Sequence, residues 1–177
     1  MNLDALKFPI GKFKTVDFTQ EVINASIEDL KQFPTDFEAL VNAVKPHQLD
    51  WLYRPEGWSI RQVIHHLPDS HANGYMRFKF ALSEDHPTIK PYNEANWANL
   101  PDTANAPVQS AIDFCKGVHS RWVALLESMS KEDYERTLFH PEYNRTFALK
   151  SYLPLYAWHG KHHLAHIKQA LAHENQF

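Results

Sequence analysis

Twelve histidines among 177 residues, seven of them gathered at two places, are the part of this sequence that could do chemistry. Residues 158–166 read W-H-G-K-H-H-L-A-H, and residues 64–71 read I-H-H-L-P-D-S-H. Neutral imidazole is a good donor to zinc and other divalent ions. On a helix, residues four apart stand one above the other with Cβ atoms roughly 5–6 Å apart, close enough for two rings to converge on one ion. The first string offers two such pairs, His159 with His163 and His162 with His166. Helix phase separates them. Taking the apolar axis through Gly160, Leu164, Ile167 and Leu171, His159 and His163 lie roughly 60–100° from it and His162 and His166 roughly 120–160°. The first pair is predicted to face inward and the second to face water.

The second string is less decisive. His71 falls on the apolar stripe of its helix, whereas His66 lies roughly 120° to one side and His65 roughly 135° to the other. Periodicity therefore leaves His65, His66 and His71 open as a third ligand from a facing helix.

The elements that must position these rings follow from spacing and punctuation. Residues 8–18, with Pro9 and Gly11, read as an irregular lead-in. Val22, Ile23, Ile27 and Leu30 then mark a helix that Pro34 is expected to break into two parts, ending before Pro46. Ser59 caps a second helix whose stripe of Ile60, Val63, Ile64, Leu67, His71, Gly74 and Phe78 carries it to about Glu84, with Pro68 expected to kink it or free a carbonyl. Residues 86–107, with Pro87, Pro91 and Pro101, form a long connection, either a packed crossover or a site wall bearing Tyr92, Asn93, Asn96 and Trp97. A third helix spans residues 108–129 and a fourth residues 151–173. The β-branched and aromatic residues of 137–150 predict a short hairpin between them. The reading is an all-α fold, a single-domain four-helix bundle with a long crossover loop and a β-hairpin before the last helix; such bundles hold metals between facing helices.

Composition narrows the function classes. A formal net charge of −3 without any Lys/Arg stripe gives no footprint for nucleic acid or anionic lipid. No apolar run is long enough to span a bilayer, and residues 1–15 lack a signal-type apolar core, so a soluble protein is expected. Cys115, the one cysteine, forbids an internal disulfide and fits a reducing cytoplasm. On an apolar helix position it reads as a small hydrophobe. Trp58, Trp97 and Trp158 read as core ahead of pocket wall.

The strings R-P-E-G-W-S-I-R-Q-V-I-H-H-L-P-D-S-H at 54–71, P-T-I-K-P-Y at 87–92 and W-H-G-K-H-H at 158–163 resemble the YfiT branch of the DinB superfamily. The resemblance runs from about residue 54 to 171. It implies a four-helix bundle with one divalent metal per chain, zinc first and nickel second, held by His66, His159 and His163. It also implies a cytoplasmic homodimer acting on a small molecule, either as a metal-dependent hydrolase or as a transferase of a low-molecular-weight thiol such as bacillithiol. Pro68, where a smaller helix former is expected, is the departure from the pattern.

Three neutral imidazoles leave a divalent ion its full charge and an open position, the pattern of catalytic sites. Such an ion lowers the pKa of water to about 7 or holds a thiol as thiolate, so hydrolysis and thiol transfer both follow from one ligand set. Ser70 and Asn73, one or two turns beyond His66, are candidates to orient a ligand or bound water, and Asp69 reads as a surface residue. A module that binds or senses a metal or a small thiol without turnover is the alternative.

Overall fold

A computed structural model of the protein describes residues 2–177. The chain opens with a short helix, α1 (Leu3–Lys7), capped by the Asn2 side chain, which accepts from the Asp4 N–H at 3.1 Å. The irregular lead-in follows. Helix α2 (Gln20–Ala43) starts at Thr19, whose hydroxyl accepts from the Val22 N–H at 3.3 Å.

The break predicted at Pro34 does not occur, because α2 continues through it. A proline inside a helix withholds the N–H that would serve the carbonyl four residues back. Here that carbonyl is Leu30, and it accepts a hydrogen bond from His119 Nδ1, on another helix, at 2.7 Å. The lost helical bond is replaced by a tertiary one, and the neighbouring Leu30, Phe33 and Phe37 are buried. Burial of that apolar face keeps the helix continuous through a residue that would end it in isolation.

Helix α3 (Ile60–Ser83) begins with a capping box: the Ser59 hydroxyl accepts from the Gln62 N–H at 3.2 Å, and Gln62 Oε1 accepts from the Ser59 N–H at 2.9 Å. Pro68 lies within it without ending it. The long connection contains two short helices, α4 (Glu94–Trp97) and α5 (Pro101–Asn105). Helix α6 (Val108–Ser128) leads to the predicted hairpin, β1 (Thr137–His140) antiparallel to β2 (Arg145–Ala148), with His140 opposite Arg145. Its turn passes through Asn144 in the left-handed region, at φ 46°. The connection joins the hairpin through the Ile89 N–H to the Phe139 carbonyl at 3.0 Å. Arg136 donates to the Ala81 and Glu84 carbonyls at 2.8 Å each, closing the end of α3. Helix α7 (Leu149–His173) completes the chain.

Helices α2 and α3 each pack on both α6 and α7, so in the four-helix bundle α2 stands diagonally across from α3, and α6 from α7. That arrangement sets α3 beside α7, which carry the two histidine strings. It also brings α6 against α2 at the Leu30 carbonyl. Two apolar clusters fill the bundle, one around Phe78, Trp122, Leu126 and Leu138, the other around Phe33, Phe37, Ile64 and Ile112. His71 lies where they meet, 4.9 Å from the Phe33 ring and 6.0 Å from Trp122. Two glycines allow the close approach: a Cβ on Gly74 would stand 2.5 Å from Tyr156, and one on Gly160 would stand 2.8 Å from Phe33. Among the described residues no helix is long and apolar enough to cross a membrane.

Candidate metal centre

His66 comes from α3, about two turns beyond the Ser59 cap. His159 and His163 come from α7, one turn apart. Each presents one ring nitrogen, and the three nitrogens lie within 4.8 Å of one another. His66 Nε2 and His159 Nε2 are 3.4 Å apart. Trp58 covers the group, 4.7 Å from the His66 ring and 6.3 Å from that of His163. Burial pushes the His66 imidazole down to about 4, and burial followed by the neighbouring histidines holds His159 and His163 well below the usual range. All three rings are neutral lone-pair donors at physiological pH, the state a cation requires.

Of the three candidates that periodicity leaves open on α3, only His66 is in this group. His65 points elsewhere, its Nε2 buried without a partner. His71 stands behind His159, with Nε2 at 3.2 Å from His159 Nδ1. Its other nitrogen, Nδ1, is 2.8 Å from His119 Nε2 on α6. His119 is thus drawn into the site from a helix that the sequence reading did not connect with it.

His162 and His166 do not face water, contrary to the phase estimate. Both are buried, at 6% and 2% exposure. The N-terminal segment lies over them: His166 Nε2 donates to the Lys7 carbonyl at 3.1 Å, Tyr53 stacks on His166 at 3.9 Å, and His162 sits between Trp158 at 4.4 Å and Phe8 at 6.0 Å. The far side of α7 is a second interior, built by α1 and residues that a single-helix periodicity does not register.

A cavity of about 650 Å³ opens beside His159, the partly exposed member of the group. Ser70 and Arg77 of α3, Tyr152 and Tyr156 of α7, Tyr92 of the connection and His140 of β1 line it, with Phe13 and Val16 from the lead-in. Arg77 Nη1 donates to the Tyr156 hydroxyl at 3.2 Å, and its guanidinium lies 5.6 Å over Tyr152. Burial raises the Tyr156 phenol and takes Tyr152 to about 12, so both stay protonated. Of the two helix residues proposed to orient ligands, Ser70 reaches this cavity. Asn73 does not: its amide donates to the Asp69 carbonyl, four residues back, at 2.9 Å. From the long connection, Pro91, Tyr92 and Glu94 line the cavity. Asn93 instead caps α4, accepting from the Asn96 N–H at 2.8 Å, and Trp97 packs on Tyr92 at 4.5 Å. None of Trp58, Trp97 and Trp158 lines it. Arg77, Tyr152, Tyr156 and His140 carried no motif, and only their convergence from three elements reveals them. Cys115 is fully buried, and desolvation raises its thiol to about 12, the environment of an inert side chain.

The profile of the DinB superfamily matches residues 29–167. The solved structure of YfiT from Bacillus subtilis superposes with a TM-score of 0.92 at 36% identity, over 96% of this chain and 98% of that one. The chain belongs to the YfiT branch of the DinB superfamily. YfiT is described as a probable metal-dependent hydrolase with an unusual four-helix bundle topology. Two further relatives bear the name "Putative metal-dependent hydrolase". One, from Bacillus pumilus (strain SAFR-032), is 42% identical and spans 96% of this chain and 97% of its own. The other, from Bacillus cereus (strain 03BB102), is 45% identical and spans 93% and 95%. A mycothiol-dependent maleylpyruvate isomerase aligns with a TM-score of 0.62 at 12% identity, over 84% of this chain and 63% of that one, and shares the DinB-type fold alone.

Proposed function

We propose that the protein is a metal-dependent enzyme in which His66, His159 and His163 hold one divalent ion, zinc first and nickel second, beside a small-molecule cavity. One observation carries the reading: three neutral imidazole nitrogens within 4.8 Å of one another, at the edge of a cavity of about 650 Å³. The donor set fits such an ion. Three ligands from the protein are the complement of catalytic zinc sites, whereas structural sites are closed by four. The names borne by the relatives support the same reading.

A bound divalent ion would supply Lewis acidity that makes a proton easier to remove from water or a thiol. The chain's own residues define what surrounds that chemistry. Trp58 covers one face of the histidine group and excludes solvent there. Arg77, fixed by Tyr156 and Tyr152, offers the cavity a positive charge that a substrate carboxylate or a developing anion can meet. Tyr156, a protonated phenol, offers a neutral donor next to it. His140 adds an imidazole to the cavity lining.

The nucleophile is either water, in keeping with the relatives' names, or a low-molecular-weight thiol. Thiol transfer is favoured as the physiological reaction because a soft thiolate suits a nitrogen-held zinc and needs only one proton removed. The homodimer and the cytoplasmic address implied by the family resemblance belong to the same proposal. The test is an assay of zinc-loaded protein that offers small thiols with a bimane electrophile, run beside ester and amide substrates. Thiol-dependent product that disappears in His163→Ala supports transfer. Metal-dependent hydrolysis without thiol replaces it with the hydrolase. Silence in both arms from fully metallated protein favours the binding module.

A further inference from the structure

Beyond the three proposed ligands, the buried His71, His119 and His166 also stand around this site. We propose that His71, His119 and His166 are positioning residues: two relays, His159–His71–His119 ending on the Leu30 carbonyl and His163–His166 ending on the Lys7 carbonyl, fix the ligand tautomers so that His159 and His163 turn a bare Nε2 toward the metal. The inference rests on the metal-site reading above, but its primary readout does not involve the metal.

The argument begins at each carbonyl, which can only accept. Leu30 O is 2.7 Å from His119 Nδ1, so Nδ1 carries the proton. His119 is buried at 1% exposure and forms no ion pair with a carboxylate among the described residues, so the ring is neutral and its Nε2 is a bare acceptor. The atom 2.8 Å from that Nε2 is His71 Nδ1, which must therefore be the donor. His71 is fully buried, and the same reasoning leaves its Nε2 bare. His159 Nδ1, 3.2 Å away, must donate to it, and the one nitrogen of His159 left without a proton is Nε2.

The second relay runs the same way. Lys7 O accepts from His166 Nε2 at 3.1 Å, so His166 Nδ1 is bare. His163 Nδ1, at 3.2 Å, must then be the donor, and His163 Nε2 is left with its lone pair.

Both anchoring carbonyls are ones that helix geometry leaves unserved. Leu30 lies four residues before Pro34, which has no N–H to give it. Lys7 is the last residue of α1, where carbonyls lack a helical donor. Phe33 stacks on His71 and packs at a tilt against His119, which keeps water from the longer relay and from offering its members other partners. Neutral histidine in water prefers the proton on Nε2. The relays select the opposite form at His159 and His163, before any ion arrives.

Long-range ¹H–¹⁵N correlation spectra of the metal-free, ¹⁵N-histidine-labelled full chain test this directly. The expected result is Nδ1–H at His159, His163, His71 and His119 and Nε2–H at His166. An Nε2–H tautomer at His159 or His163 would overturn the proposal, whether or not the protein binds metal. Absence of zinc binding with these tautomers present would instead sink the metal-site reading and leave the relays standing. A second measurement is zinc affinity by competition with a chromophoric chelator. His119→Phe is expected to weaken zinc about 10–100-fold, the usual cost of losing a partner behind a ligand. His119→Gln, which keeps an acceptor for His71, is expected to retain most of the affinity. Equal affinity in His119→Phe and wild type, or equal loss in the two variants, would refute the relay. His166→Phe tests the shorter arm in the same way should the His119 variants fail to fold.

Discussion

Pro34 and His119 are partners through a carbonyl: the proline leaves Leu30 O without its helical donor, and His119 Nδ1 supplies one at 2.7 Å. A residue that ordinarily damages a helix interior is tolerated in α2 because the vacancy it creates is filled from α6. Pro34→Ala puts back an N–H that competes for the same carbonyl. The expected outcome is a zinc affinity lowered several-fold with no loss of thermal stability, since alanine is the better helix former by about 3 kcal/mol. Affinity unchanged in a chelator competition would show that Leu30 O serves both donors and that the proline is incidental.

Metal content distinguishes the three proposed ligands from their neighbours on the same helix turns. Purified wild-type protein is expected to carry close to one zinc or nickel per chain, and His66→Ala, His159→Ala and His163→Ala each to lose most of it. His162→Ala should keep its metal and lose stability instead, because His162 fills a slot between Trp158 and Phe8. Retention in the His159 and His163 variants, measured by elemental analysis, would remove the basis of the site.

The contrast between His163 and His162 also marks how far the sequence could be read. Periodicity gave the four long helices within a few residues, and the Ser59 cap and the hairpin were legible from local chemistry. The inward turn of His159 and His163 followed from phase along α7 alone. His162 and His166 were misplaced for a definite reason: what covers them is Tyr53, Phe8 and the end of α1, and α1 is too short to announce itself by any periodic pattern. Pro34 was misread as a break for a related reason, since the bond that compensates it comes from His119, 85 positions along the chain from the proline. His66 was separated from His65 and His71 by family resemblance, and phase arithmetic through Pro68 could not do it. Arg77 and His140, facing one cavity from α3 and β1, had no spacing to betray them.

Gly160 offers a packing test between the two ligands of α7. A Cβ there would lie 2.8 Å from the Phe33 ring and 3.5 Å from His71 Cε1. Gly160→Ala is expected to destabilise the fold by about 1–3 kcal/mol through overpacking, reduced by up to about 1 kcal/mol of gained helix propensity. Because Phe33 also packs on the longer relay, zinc affinity should fall in the same variant. Urea unfolding curves of the metal-free proteins measure the first effect; a variant as stable as wild type would show that Phe33 has room to move.

Asp69 supplies the pH dependence. It stands three residues after His66, and burial together with the nearby Asp102 charge raises its carboxyl from the ordinary value of 3.8 to about 6. Because the folded state holds this proton more tightly than the unfolded chain, stability contributed by the neutral form is lost as pH rises from about 4 to about 6, and the full penalty of the buried charge is present above that. Asp69→Asn removes the charge and not the shape. The variant is therefore expected to exceed wild type in thermal stability at about pH 8, and the difference is expected to shrink steadily toward about pH 4.5, where the wild-type carboxyl is mostly protonated in the fold. Melting curves of the two metal-free proteins across that range decide the matter. A gap that does not change with pH would mean that Asp69 is solvated like any surface carboxylate, as its sequence context first suggested.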